Sequence, residues 1–176
     1  NLGDNVVPNA PVTNVSWFAA KSYCECQGKR LPTMDEWEFA AMADETTADA
    51  RSKKGYNQYI LGWYEAPHTY KKPIGSTFKN YWGIYDLHGL VWEWTSDFNS
   101  VLLSGESRKG NDEDANLFCG AAAIGATDLM NYAAFMRYAF RASIQANYTV
   151  QNLGFRCARD GKNKDSVPKL SLNSTK

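Results

Sequence analysis

The sequence predicts an α+β domain of low regular content. Three observations point there: two short amphipathic helices with readable starts lie early, an aromatic strand follows a long irregular stretch, and an apolar strand closes the chain. The 176 residues suit one domain, and 44% hydrophobic residues supply a sizeable core. Nineteen Lys plus Arg balance nineteen Asp plus Glu, which removes the basic footprint of a nucleic-acid binder. No apolar run nears the roughly 18 residues that span a bilayer. The first residue is Asn1 rather than Met, so the sequence reads as a processed product or part of something longer.

Asn1 to Thr13, with Pro8 and Pro11, suits an extended lead-in. Asn14 or Ser16 then caps a helix over Trp17 to Gln27, which Gly28 stops. Thr33 stands three residues before Glu36, the spacing of a capping box, and predicts a second helix from Met34 to about Ala43. Trp37, Phe39, Ala40 and Ala41 supply its apolar surface. Asp44 to Asn80 reads as a structured but irregular region that keeps Tyr56, Tyr59, Ile60, Leu61, Trp63 and Tyr64.

Val91 to Thr95 alternates as a strand with Trp92 and Trp94 on one side. Asn99 to Asn116 is polar loop, Leu117 to Ala123 a candidate strand, and Asp128 to Arg141 a helix or a strand with equal claim. Gly154 to Arg159 forms the closing strand. The domain thus covers residues 1–160, and 161–176, poor in large apolar residues, is expected to be a poorly ordered tail.

The four cysteines, Cys24, Cys26, Cys119 and Cys157, allow three pairings in an oxidising compartment or remain reduced thiols in a reducing one. On the first helix Cys24 and Cys26 point about 200° apart and do not readily share a metal or bond to each other.

Four stretches carry a family resemblance in order and spacing. They are Pro11-Val12 with Val15-Ser16-Trp17 and Ala20; Gly28 to Thr33 with Glu36-Trp37-Glu38; Gly89 with Val91 to Asp97; and Asn152 to Cys157. Together they resemble the C-terminal two-thirds of the formylglycine-generating enzymes, or sulfatase-modifying factors, across Pro11 to Asp160. The resemblance implies an irregular C-type-lectin-like fold, with the N-terminal part of the family domain absent. It also implies a disulfide between Cys24 and Cys157 and hence an extracytoplasmic, periplasmic or secreted, location. Cys26 and Cys119 are then a second disulfide, two buried thiols or a thiolate pair for a soft metal.

Active members of that family oxidise a substrate cysteine with oxygen and a copper ion held by two cysteines five residues apart. With Arg141 as anchor, the matching positions fall on Asp128 and Ala133, neither of which offers a thiolate. No cysteine stands anywhere between Cys119 and Cys157. The resemblance therefore implies that copper-dithiolate catalysis is lost and that no cofactor is required. A structural calcium site beside the Trp-Glu-Trp segment has its asparagine replaced by Leu90; Glu93, Asp97 and Asp86 remain as oxygen donors. The alternative for Glu93 is a buried carboxylate bonded to backbone.

With two histidines, His68 and His88, no three-histidine centre is possible. A His and carboxylate iron site around His88 is a further reading, set against core or surface packing. Arg137 and Arg141, flanked by Tyr132, Phe135 and Tyr138, either line an apolar cleft where the family's active site lies or fill it.

The leading functional reading is a noncatalytic exported module that binds a protein partner, such as an exported metalloenzyme that it helps to mature. A second is an oxidoreductase of altered metal chemistry at Cys26, Cys119 or His88. A third is ligand display through a diversified C-terminal segment, with Asn131, Tyr132, Asn147 and Tyr148 as varied positions.

Overall fold

A computed structural model describes residues 8–66, 68–99 and 129–161. Helix α1 spans Trp17–Cys26, α2 Met34–Ala41, α3 Lys54–Glu65 and α4 Leu129–Ser143; strands β1, Trp92–Trp94, and β2, Leu153–Phe155, are three residues each. A 3₁₀ turn, Thr69–Lys71, follows α3. The architecture is α+β, and among the described residues four helices surround a minimal sheet with long connections.

Local chemistry sets the early helices. Ser16 caps α1 by accepting from the Ala19 amide, while Asn14 instead sits at φ 55° with its own amide bonded to the Val150 carbonyl. Thr33 caps α2 in a complete capping box: its side chain accepts from the Glu36 amide and Glu36 Oε2 accepts from the Thr33 amide. Of the four apolar positions expected on α2, Trp37 and Ala41 are buried and Ala40 is half-buried, but Phe39 lies exposed beside Trp82.

The region expected to be irregular contains α3. Its apolar residues do recur at helical spacing, with Tyr56, Ile60 and the pair Trp63 and Tyr64 on one side, but Gly55 and Gly62 dilute the pattern. No side chain caps its start at Lys53 and no acid stands in its first turn, so the usual signals are missing. Between helix and strand for Asp128 to Arg141, the structure forms a helix, α4, which packs on α3.

Strands β1 and β2 pair in parallel, Trp92 opposite Leu153, Glu93 opposite Gly154 and Trp94 opposite Phe155. Gly154 permits this because a Cβ there would stand 2.5 Å from the Val12 carbonyl oxygen, which crosses directly over the strand. The main core gathers Ala20, Cys24, Leu31, Trp94, Phe98 and Leu153. Trp94 is fully buried and its Nε1 donates to the Val15 carbonyl. A second cluster, Ala50, Tyr56, Ile60 and Ala133, fills the space between α3 and α4.

The Cys24–Cys157 disulfide is formed and ties α1 to the segment after β2 across 133 residues. Beside it, Arg30 and Ala158 form an isolated antiparallel bridge. Cys26 is free and exposed rather than a buried thiol. Its side chain faces away from Cys24, as the helical spacing requires. Cys119, the candidate strand Leu117 to Ala123, Asp128 and all but the first residue of the expected tail lie outside the described residues. No helix among the described residues is long and apolar enough to cross a membrane.

Candidate functional site

Helix α2 carries the centre of the site. Its exposed edge holds Glu36, whose carboxylate takes two 2.6 Å bonds from Arg30 and is held down at about 2 by that guanidinium and the Thr33 backbone. Two residues on, Glu38 turns inward and meets α4. Arg137 donates from Nε at 2.9 and 3.1 Å and from Nη2 at 2.6 Å, and Arg141 donates from Nη1 at 2.6 Å. Burial works against the charged form of Glu38, but the bonds and charges of the two guanidiniums hold its pKa below the ordinary value. Arg137 Nη1 also donates to the Tyr64 hydroxyl at 3.0 Å.

Trp37, between the two acids in sequence, joins this cluster to the sheet. Its ring faces Arg137 and Arg141, with guanidinium carbons 5.6 and 5.0 Å from the ring centre. Its Nε1 donates to Glu93 Oε2 at 2.7 Å. Arg156 clamps the same carboxylate with two 2.6 Å bonds and reaches the Tyr85 and Asp86 carbonyls with its remaining donors. Glu93 is therefore buried, as one alternative held, but its partners are side chains rather than backbone.

A cavity of about 440 Å³ opens above this floor, between α3, the 3₁₀ turn, β1 and α4. Tyr64 stacks on Trp92 at 5.1 Å between ring centres, and Trp92 on Phe140 at 4.5 Å, so three stacked rings line the cavity. Trp63 lines it as well. Arg137 and Arg141 line the cavity, so the cleft is open rather than filled. Tyr132 is 44% exposed and, like Tyr138, does not belong to the lining. Trp63, Tyr64, Thr69 and Gln151 do line it, and the aromatic spacing on α3 is the sequence signal for the first two.

The backbone around the cleft is unusual. His68 and Leu90 adopt φ of 57° and 53°, and Gly89 has φ 113°. A Cβ on Gly89 would lie 2.7 Å from Trp63 Cδ2, so only glycine lets the indole approach.

Among the described residues the expected ligand sets are not assembled. Asp86 accepts from Thr77 and the Gly75 amide, Asp97 accepts from the Met34 amide at 2.7 Å, and Glu93 is occupied as described. These three acids thus serve three separate places, each drawn off by a nearer donor. His88, 2% exposed, is a core residue boxed edge-on by Trp37 and Tyr56, with Nε2 on the Ala41 carbonyl at 2.8 Å and no carboxylate on the ring. Burial, then the Arg137 charge, brings its pKa down to about 4. His68 sits at the cleft rim beside Tyr70. Among the described residues no three His, Cys, Asp or Glu side chains form a group able to hold a metal ion. Of the display positions, Tyr132, Asn147 and Tyr148 are exposed, and the side chain of Asn131 lies outside the described residues.

Of the positions the resemblance gives to the copper pair, Ala133 is fully buried in the α3–α4 interface and Asp128 lies outside the described residues; Cys24 and Cys157 are joined, and Cys26 stands on the outer face of α1.

Comparison with known proteins agrees with the motifs that converge on this floor. The sulfatase-modifying factor enzyme 1-like domain model matches residues 2–161. The formylglycine-generating enzyme of Streptomyces coelicolor is 33% identical over 87% of this chain and 54% of its own length. The inactive C-alpha-formylglycine-generating enzyme 2 of Bos taurus is 34% identical over 84% and 50%, and the formylglycine-generating enzyme of Bos taurus 30% identical over 87% and 45%. The chain thus spans about half the length of these relatives. No solved structure matches it. With Arg156 clamping Glu93 across the paired strands and Arg30 bridging to Glu36, the motifs are the struts of one scaffold, and the chain belongs to the sulfatase-modifying factor family.

Proposed function

We propose that this chain is a formylglycine-generating-enzyme-like domain that has lost copper-dithiolate catalysis and acts as a noncatalytic, exported binding or accessory module on the family's lectin-like scaffold. The observation that carries the reading is Ala133. The position that the resemblance gives to the second copper thiolate is a methyl group fully buried against Ala50, Tyr56 and Ile60. Restoring a thiolate there would place a charge in an apolar interface, a costly arrangement without a partner. Relatives named inactive in cattle and mouse, 34% and 30% identical, fit the same reading.

The Cys24–Cys157 bridge supports export, because such bonds persist in oxidising compartments. The long connections on a small rigid core suit a rebuilt binding face, and the partner proposed for it is a protein, an exported metalloenzyme being the leading case.

The test loads purified protein with copper(I) and offers a sulfatase-type cysteine peptide under oxygen. Aldehyde formation is read by mass, and metal content and free thiols are measured on the same sample. No aldehyde, no stoichiometric copper and an oxidised Cys24–Cys157 pair are expected. Turnover of the peptide overturns the proposal, and stoichiometric copper or iron with catalytic oxygen uptake moves the chain to an oxidoreductase of altered chemistry.

A further inference from the structure

We propose that the cleft binds a small molecule composed of a flat aromatic body and one carboxylate, with Arg141 as the anion seat. The inference goes beyond the protein-binding reading and is carried by the cleft itself. Three properties of the cleft select that ligand.

The first is charge. Arg137 and Arg141 share a single carboxylate, Glu38, while Glu93 and Arg156 neutralise each other. Among the described residues the floor therefore carries one net positive charge in a setting where both arginines are buried. A monoanion completes it; a dianion or a cation does not.

The second is the distribution of donors. Arg137 uses Nε and Nη2 on Glu38 and Nη1 on the Tyr64 hydroxyl. Arg141 makes one hydrogen bond to a described residue, from Nη1 to Glu38, and lines the cavity. Its Nε and Nη2 make no hydrogen bond to a described residue, and together they form the planar fork that matches a carboxylate in two parallel bonds.

The third is the aromatic lining. Trp92 stacks near-parallel on both Tyr64 and Phe140, with 27° and 18° between ring planes, and these three rings line the cavity together with Trp63. Aromatic rings favour an aromatic body by stacking or edge contact, and about 440 Å³ lies within the usual range for small-molecule sites. Gln151 and Asn152 at the mouth add neutral hydrogen-bonding groups for orientation.

The experiment titrates the whole chain by calorimetry with indole-3-acetate, with its neutral isostere indole-3-acetamide and with the cation tryptamine. Indole-3-acetate is expected to bind, the acetamide about 10- to 100-fold more weakly, as for loss of a charged hydrogen-bond pair, and tryptamine not at all. Arg141→Gln is expected to abolish the preference for the acid over the amide, and Arg141→Lys, which keeps the charge without the fork, to retain part of it. Melting curves check that both variants fold. Equal binding of acid and amide by the unmodified protein overturns the anion seat, and no binding of any of the three at millimolar concentration overturns the site. Either failure leaves the noncatalytic reading standing, since that reading falls only to peptide turnover or to redox chemistry.

Discussion

Replacing Glu38 by Gln is the sharpest probe of the site's construction. The change keeps the size of the side chain and removes the one negative charge shared by Arg137 and Arg141, whose side chains are 5% and 7% exposed. Removing one partner of a buried pair costs about 3–5 kcal/mol, because the remaining charge stays desolvated. Glu38 itself is 32% exposed, so water screens part of its interaction, and the lower end of that range applies. Glu38→Gln is therefore expected to cost about 3 kcal/mol in urea unfolding followed by tryptophan fluorescence. Arg141→Gln alone leaves Glu38 paired with Arg137 and is expected to cost less, about 1 kcal/mol. The double variant is expected to be more stable than the sum of the two losses, since it leaves one unpaired guanidinium where Glu38→Gln leaves two. A loss below about 1 kcal/mol for Glu38→Gln, or strict additivity, would refute the picture of one carboxylate holding two buried arginines.

Three further outcomes follow from the same structure. His88 has a pKa near 4 in the fold against about 6.5 in the unfolded chain; its neutral form is favoured, so its contribution is complete above pH 6.5 and is lost as pH falls to 4. That loss is about 3 kcal/mol, and an acid unfolding series should lose this part of its slope in His88→Asn while Arg137, Glu38 and Arg156, the charged groups acting on the ring, stay unchanged. Opening the Cys24–Cys157 bridge, either by reductant or as Cys24→Ser with Cys157→Ser, releases a 133-residue separation and is expected to lower stability by about 4–5 kcal/mol in the chain-entropy model, read as a shifted urea midpoint. Gly89→Ala puts a methyl group 2.7 Å from Trp63 at φ 113°, so it should both destabilise by about 1–3 kcal/mol and shift Trp63 emission; an unchanged spectrum and midpoint would mean that the indole is not held there.

What could be read from the sequence was local or motif-borne. Thr33 with Glu36 announces a capping box because both partners lie within one turn, and Ser16 stands where a helix must end its unpaired amides. The strand alternation of Trp92 and Trp94 holds because its two faces meet different surroundings, aromatic rings on one side and the Glu93 clamp on the other. Helix α3 escaped because its start has no cap and its interior has two glycines; packing on α4 through Ile60 and Ala133 supplies what propensity lacks. The cleft floor escaped for a different reason. Glu38 lies 99 residues from Arg137, and nothing at either position in one sequence declares the partner. Asp86, Glu93 and Asp97 look like a ligand set when read along the chain, yet each has a closer donor once folded.

Trp37 is the residue through which these parts act together. Its ring supports both arginines of α4, its edge meets His88, and its indole nitrogen is bonded to Glu93, which Arg156 locks to the far strand. The floor of the cleft is thus one continuous polar network running from α4 through α2 to β1 and β2, with each member fixed by at least one other. Such a network has little freedom to reorganise when a ligand arrives, so the donors of Arg141 are already oriented before binding. The disulfide adds to this from outside the network, since it anchors α1 to the segment that follows Arg156. Bond opening at Cys24–Cys157 should accordingly loosen Arg156 before it reaches Glu38, because Arg156 is adjacent to the cysteine in sequence while Glu38 is held by α4.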